Sequence, residues 1–224
     1  MMSSSSTDYY MLIASLPFIP RTFEVDQVPI SRLRLAERLT LLDEDDQQVV
    51  EQVQQFLHWD RQDSERTDAD VQREYERLMD TIQNSLVRDI IIHRMDVRTI
   101  MSGLRRRRWG LDPPAAVGQY VAHIRKHWQH PDFQLARKQP WIPSVRESLE
   151  KHEPLQVERE LLRATWNRWT QLADQYYFSF ETILLYLARW EIVDRWTRLD
   201  PIAGRRRFDT LLQETLSEHA RIDN

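Results

Sequence analysis

The sequence predicts an all-α protein, a multi-helix bundle in two lobes with a short extended N-terminal segment. Three observations carry that prediction. Among 224 residues there are only four glycines, Gly103, Gly110, Gly118 and Gly204, too few for the tight turns of sheets or the close backbone approaches of phosphate loops. From Ser31 onward, apolar residues recur at spacings of three and four, the period of an amphipathic helix. Prolines and polar clusters separate these periodic stretches. Helix is expected to cover about two-thirds of the chain, against a usual third.

The elements follow in order. Residues 1–8, serine-rich and of low complexity, are expected to be a disordered N-terminus. Residues 9–224 then form a single helical domain, with possible lobes 9–110 and 111–224. "YYMLIASLPF" is aromatic, β-prone and stopped by Pro17, which predicts an extended, strand-like segment. Ser31 is placed to cap a helix carrying Leu35, Leu39 and Leu42. "DEDDQQVVEQVQQFL" puts four acids in a first turn, where they complement the positive helix end. Val71, Tyr75, Leu78, Ile82, Leu86 and Ile90 predict one long helix.

In the second half, Pro113 and Pro114 open a helix over "AAVGQYVAHIRKHW", which Pro131 closes. Residues 61–67 and 131–143 are expected to be polar linkers between lobes. Pro154 sits at the first position of the next helix. Two more helices follow, over "FSFETILLYLARWEIVDRWTRLD" and, after Pro201, "IAGRRRFDTLLQETLSEHA".

Composition narrows the function. The formal net charge is −4, which disfavours a nucleic-acid binder relying on an overall basic field. There is no cysteine, so thiolate catalysis and cysteine-held metal are excluded. No basic stretch precedes the first apolar run, which is also too short to span a membrane. The expectation is therefore a cytoplasmic protein. Neither GxxxxGK[ST], GxGxxG nor GxSxG occurs, leaving no sign of a nucleotide cradle or serine nucleophile. His123, His127 and His130 would share one helical face if their helix reached Pro131. With Arg125 and Lys126 beside them they are expected to be half-exposed histidines, not a metal site. No catalytic residue, cofactor or metal is therefore assigned.

The arginines remain. Arg105, Arg106, Arg107 and Arg108 precede Trp109 and Gly110. A rotation of about 100° per residue spreads four consecutive side chains around the helix and denies them a single flat stripe. Gly110 is a natural stop, so they occupy a last turn where the negative helix end favours cations. Guanidinium groups also bind carboxylates bidentately, and Trp and Arg anchor interfaces. Arg105–Arg108, Trp109 and the second cluster Arg205, Arg206 and Arg207 are thus the candidate partner-binding residues. The alternative is a helical nucleic-acid-binding or adaptor module using the same clusters.

Three stretches resemble known families. "DYYMLIASLPF" and "LLYLARWEIVDRWTRLDPIAGRRRFDTLL" resemble the two ends of a bacterial family of uncharacterised proteins encoded with V-type ATPase subunits. In the latter, Glu191, Arg195, Trp196, Leu199, Gly204 and Phe208 are the matching positions. "DVRTIMSGLRRRRWG" is similar to a repeated pattern of the C-type stalk subunits of V/A-type ATPases (the d-type subunits of eukaryotes), at Asp96, Leu104 and Arg105. There Thr99 replaces the customary asparagine. The resemblance implies a non-catalytic helical subunit, peripheral to the membrane, that couples the central stalk to the membrane proteolipid ring.

Overall fold

A computed structural model describes residues 9–57, 67–114 and 117–199. Those residues form nine helices and no strand: α1 (Tyr10–Ser15), α2 (Arg32–Leu39), α3 (Glu44–Leu57), α4 (Asp68–Thr81), α5 (Ser85–Arg108), α6 (Val121–Lys126), α7 (Ile142–Glu150), α8 (Pro154–Ala173) and α9 (Phe180–Thr197). The expectations for residues 1–8 and for the segment after Pro201 lie outside the described residues, as does nearly all of the 61–67 linker.

Several starts and stops follow the sequence rules. Ser31 accepts a hydrogen bond from the Arg34 amide and caps α2. Asp43 accepts from the Asp46 amide before α3, whose first turn holds Glu44, Asp45 and Asp46. A capping box joins Thr67 and Asp70 at α4. Pro154 is the first residue of α8.

Four expectations are corrected. The N-terminal segment is not extended: residues 10–15 are helical. No neighbouring strand is available among the described residues, so the backbone pairs within its own turn. The Tyr9 amide is held by the Phe178 carbonyl at 2.9 Å, and Leu12 is buried. The long helix expected from Val71 to Ile90 is two helices, because Asn84 caps α5 by accepting from the Val87 amide at 3.1 Å. The helix expected between Pro114 and Pro131 shrinks to α6, for reasons found at Asp96 below. Residues 131–143 are not a polar linker, since Phe133, Leu135, Trp141 and Ile142 are buried in the core. Phe133 and Gln134 reach that position through consecutive positive φ angles of 54° and 57°, which pack a chain without helical or strand period.

Among the described residues the interior holds two apolar clusters. The larger gathers α1–α4, the first part of α5, the later part of α8 and α9, around Phe56, Ile91, Trp169 and Trp190. The smaller gathers the end of α5, α6, α7 and the start of α8, around Ile100, Phe133 and Ile142. Their division runs across α5 and α8. Four tryptophans, Trp141, Trp166, Trp169 and Trp190, are core residues, whereas Trp109 is 68% exposed.

Candidate docking surface at the end of helix α5

Helix α5 crosses from one cluster to the other, and polar groups lie buried where it does so. Asp96 is 6% exposed and Thr99 fully buried. Asp96 Oδ1 accepts from the Gln119 amide at 2.7 Å, and the Tyr120 amide also bonds this carboxylate. Thr99 Oγ1 donates to the Val117 carbonyl. Between them sits Gly118 at φ +126°, where a Cβ would lie 2.6 Å from Asp96 Oδ1. Only glycine fits that approach. Capturing the amides of residues 119 and 120 is what delays α6 until Val121.

Burial dominates the ionisation here. It raises Asp96 to about 6 against the opposing pull of the two amides. One turn earlier, burial lowers His93 to about 4, helped by Arg168 and Arg94. The His93 ring stands edge-on to Trp169, with centroids 5.1 Å apart.

Beyond Thr99 the helix packs Ile100, Met101 and Leu104 into the smaller cluster. Gly103 lets the Phe133 ring come close, since a Cβ would meet that ring at 3.2 Å. The helix then ends in a Schellman motif. The Gly110 amide donates to the Arg107 carbonyl at 3.0 Å and the Leu111 amide to the Arg106 carbonyl at 2.9 Å, with Gly110 at φ +67°.

The four arginines of this last turn divide by function. Arg106 Nε donates to the Asp112 carbonyl at 2.6 Å. Arg107 donates to the Trp128 carbonyl, which ties the helix end to the chain after α6. Arg108 meets His152 Nε2 in the turn between α7 and α8, yet remains exposed, as does Arg105. Beside them Trp109 and Leu111 are 68% and 46% exposed. The surface therefore offers two guanidinium groups, an indole and a leucine on a helix end that is itself fixed. Arg205, Arg206 and Arg207 lie outside the described residues.

His130 does not share a face with His123 and His127. Helix α6 stops at Lys126. His123 Nε2 bonds the Phe133 carbonyl at 2.9 Å, and His130 Nδ1 lies 3.3 Å from Asp132. The His123 and His127 rings meet at a tilt of 41° with centroids 4.5 Å apart, and His127 is lowered by loss of solvent and by the positive groups around it. Among the described residues no group of three or more His, Cys, Asp or Glu side chains is placed to hold a metal.

A family model matches residues 30–218. The chain belongs to the family described as "Protein of unknown function (DUF2764)". No curated protein and no solved structure matches it. The family's span includes Asp96, Thr99, the arginine turn and the closing positions noted in the sequence. Of those, Arg195 reaches across to Glu158 on α8. Trp196 stands edge-on to Phe23 at 5.4 Å, and Leu199 packs on the larger cluster. They fasten α9 within the fold; Gly204 and Phe208 lie outside the described residues.

The spacing on α9 pairs Asp194 with Arg198, as the structure has it, but sequence reasoning missed the partner that Asp194 finds on α2. Asp194, 9% exposed, accepts from Arg32 at 2.6 Å and from Arg198 at 2.8 Å. Arg32 also lies over the Trp190 ring. The signal was an aspartate directly after Ile192 and Val193, on a face that the period assigns to the core.

Proposed function

We propose that this protein is a non-catalytic helical subunit of a bacterial V/A-type rotary ATPase, coupling the central stalk to the membrane proteolipid ring. It would work in the cytoplasm, peripheral to the membrane through that complex. The assembly is suggested by the resemblance of the chain's two ends and of the Asp96–Arg105 stretch. The observation that carries the docking role is the exposed Trp109 flanked by Arg105 and Arg108 on a fixed helix end. Trp and Arg on a preorganised support are the usual anchors of an interface, and guanidinium groups favour an acidic partner surface. No described helix is long and apolar enough to cross a membrane, in keeping with a role at the membrane surface through partners.

The test is co-purification of the tagged full chain with rotor-stalk subunits, compared with Arg105→Glu, Arg108→Glu and Trp109→Ala. Each variant is expected to weaken capture by roughly tenfold or more while leaving the melting curve intact, since interface anchors cost about 2 kcal/mol or more when removed. Undiminished capture of the combined variant would refute the surface. A low-salt titration with a single-stranded oligonucleotide separates the nucleic-acid alternative, which requires affinity falling steeply with salt.

A further inference from the structure

A second site lies far along the chain from the arginine turn. The connection after α1 runs beside α9 and leaves a groove of about 190 Å³ between them. One wall is apolar, built by Leu16, Pro17 and Phe18, with Phe18 82% exposed at the rim. The other is the face of α9 carrying Thr182, Tyr186 and Arg189, spaced i, i+4 and i+7 so that they share one side of the helix.

That face is unusual in its polar atoms. Tyr186 is 7% exposed and its hydroxyl has no hydrogen-bond partner among the described residues. The Thr182 hydroxyl is also buried and unpartnered. Buried polar groups are nearly always paired, so two orphaned hydroxyls buried on residues that border one groove mark a place where an acceptor belongs. Arg189 spends its Nε on the Leu185 carbonyl at 3.2 Å and makes no ion pair within 4 Å among the described residues, the Asp174 carboxylate acting on it from farther away. Three donor side chains, one of them cationic, thus line a groove whose opposite wall is aliphatic and aromatic.

We infer that this groove binds an aliphatic monocarboxylate of medium chain length, its carboxylate held by Arg189, Tyr186 and Thr182 and its chain lying against Leu16, Pro17 and Phe18. The charge selects an anion, and the hydroxyls select an acceptor. The volume is below the range of drug-sized or cofactor pockets, which suits a short chain. The inference stands apart from the docking role of α5, and either can fail without the other.

The experiment titrates the full chain by calorimetry with octanoate, octylamine and 1-octanol, each below its micelle-forming concentration. Octanoate is expected to bind saturably at one site, roughly tenfold or more tighter than the other two, as hydrogen bonds to a charged group warrant. Tyr186→Phe should weaken octanoate roughly tenfold without lowering the melting temperature, because it deletes an unpaired hydroxyl and keeps the ring. Arg189→Met should erase the preference for octanoate over octanol. Thr182→Val provides a second hydroxyl deletion if Tyr186→Phe fails to fold. Absence of saturable octanoate binding, equal binding of octylamine, or full octanoate affinity in the hydroxyl deletions would each overturn the proposal.

Discussion

The two halves of α5 show how one helix can serve two different surroundings. From Leu86 to Met95 its buried residues enter the larger cluster, built mostly from helices, with Ile19, Phe23, Leu42 and Val117 added from connecting chain. From Ile100 to Leu104 they enter the smaller one, where Phe133, Leu135 and Trp141 come from irregular chain. Between the halves lies the polar knot of Asp96 and Thr99. The larger core joins side-chain packing to long-range bonds such as Trp190 Nε1 to the Ile30 carbonyl and Arg32 to Asp194. The irregular one also needs its backbone fixed, and the knot fixes residues 117–120 while Arg107 fixes the Trp128 carbonyl.

The largest expected effect tests whether the clusters are energetically separate. Phe56→Ala and Phe133→Ala each delete a fully buried ring, one per cluster, and each should cost about 3–5 kcal/mol. Because α5 and α8 run through both, each variant is expected to melt in a single transition. Hydrogen exchange of α9 amides provides the check. If Phe133→Ala leaves α9 at full protection while the smaller cluster opens, the two behave as independent units.

Much of the larger cluster was legible in the sequence. Ser31, Asp43 and Pro154 announce helix starts because capping is local chemistry, and the period of α3 and α4 places Val53, Phe56, Val71 and Leu78 inside. The end of α5 was legible too, since Gly110 after a run of arginines is a local stop. The break at Asn84 was concealed by apolar spacing that continues through Ile82 and Leu86. The smaller cluster resisted sequence reasoning for another reason. Phe133 and Leu135 are buried without periodicity, and Gly118 meets Asp96 only after the chain has turned back across more than twenty residues. The arginine turn looked uniform in sequence, yet tertiary contacts engage Arg106 and Arg107 internally and leave Arg105 and Arg108 exposed.

The pH response of the knot comes next in size. Asp96 is raised from 3.8 to about 6, so between about pH 4 and 6 the folded chain keeps a proton that the unfolded chain has released. Its contribution to stability is lost as pH rises through that window. His93 is lowered from 6.5 to about 4, so the unfolded chain gains its proton first as pH falls. Its contribution is lost as pH falls from about 6.5 to 4. Each full change amounts to about 3 kcal/mol, and across their shared window the two oppose one another. Asp96→Asn should therefore lose about 2 kcal/mol relative to wild type between pH 7 and 4.5, whereas His93→Gln should gain about 2 over the same change. Denaturant melts at the two pH values, scored as differences from wild type, test this. Parallel profiles for the three proteins would remove both assignments.

The smallest effects come from two glycines that share a positive φ but not an environment. Gly118→Ala places a Cβ against the Asp96 carboxylate and must also adopt φ +126°, so it should cost about 2–3 kcal/mol through strain and displacement of that carboxylate. Gly110 at φ +67° has open space where a Cβ would stand. Gly110→Ala should therefore cost only the ordinary left-handed penalty of about 1 kcal/mol. Gly110→Asn should recover part of it, because asparagine tolerates that conformation. Chemical denaturation of the three variants separates close packing from backbone strain. Equal losses at the two glycines would mean that the Asp96 knot yields to a methyl group, leaving the two ends of the 96–118 connection no more tightly held than the open turn at Gly110.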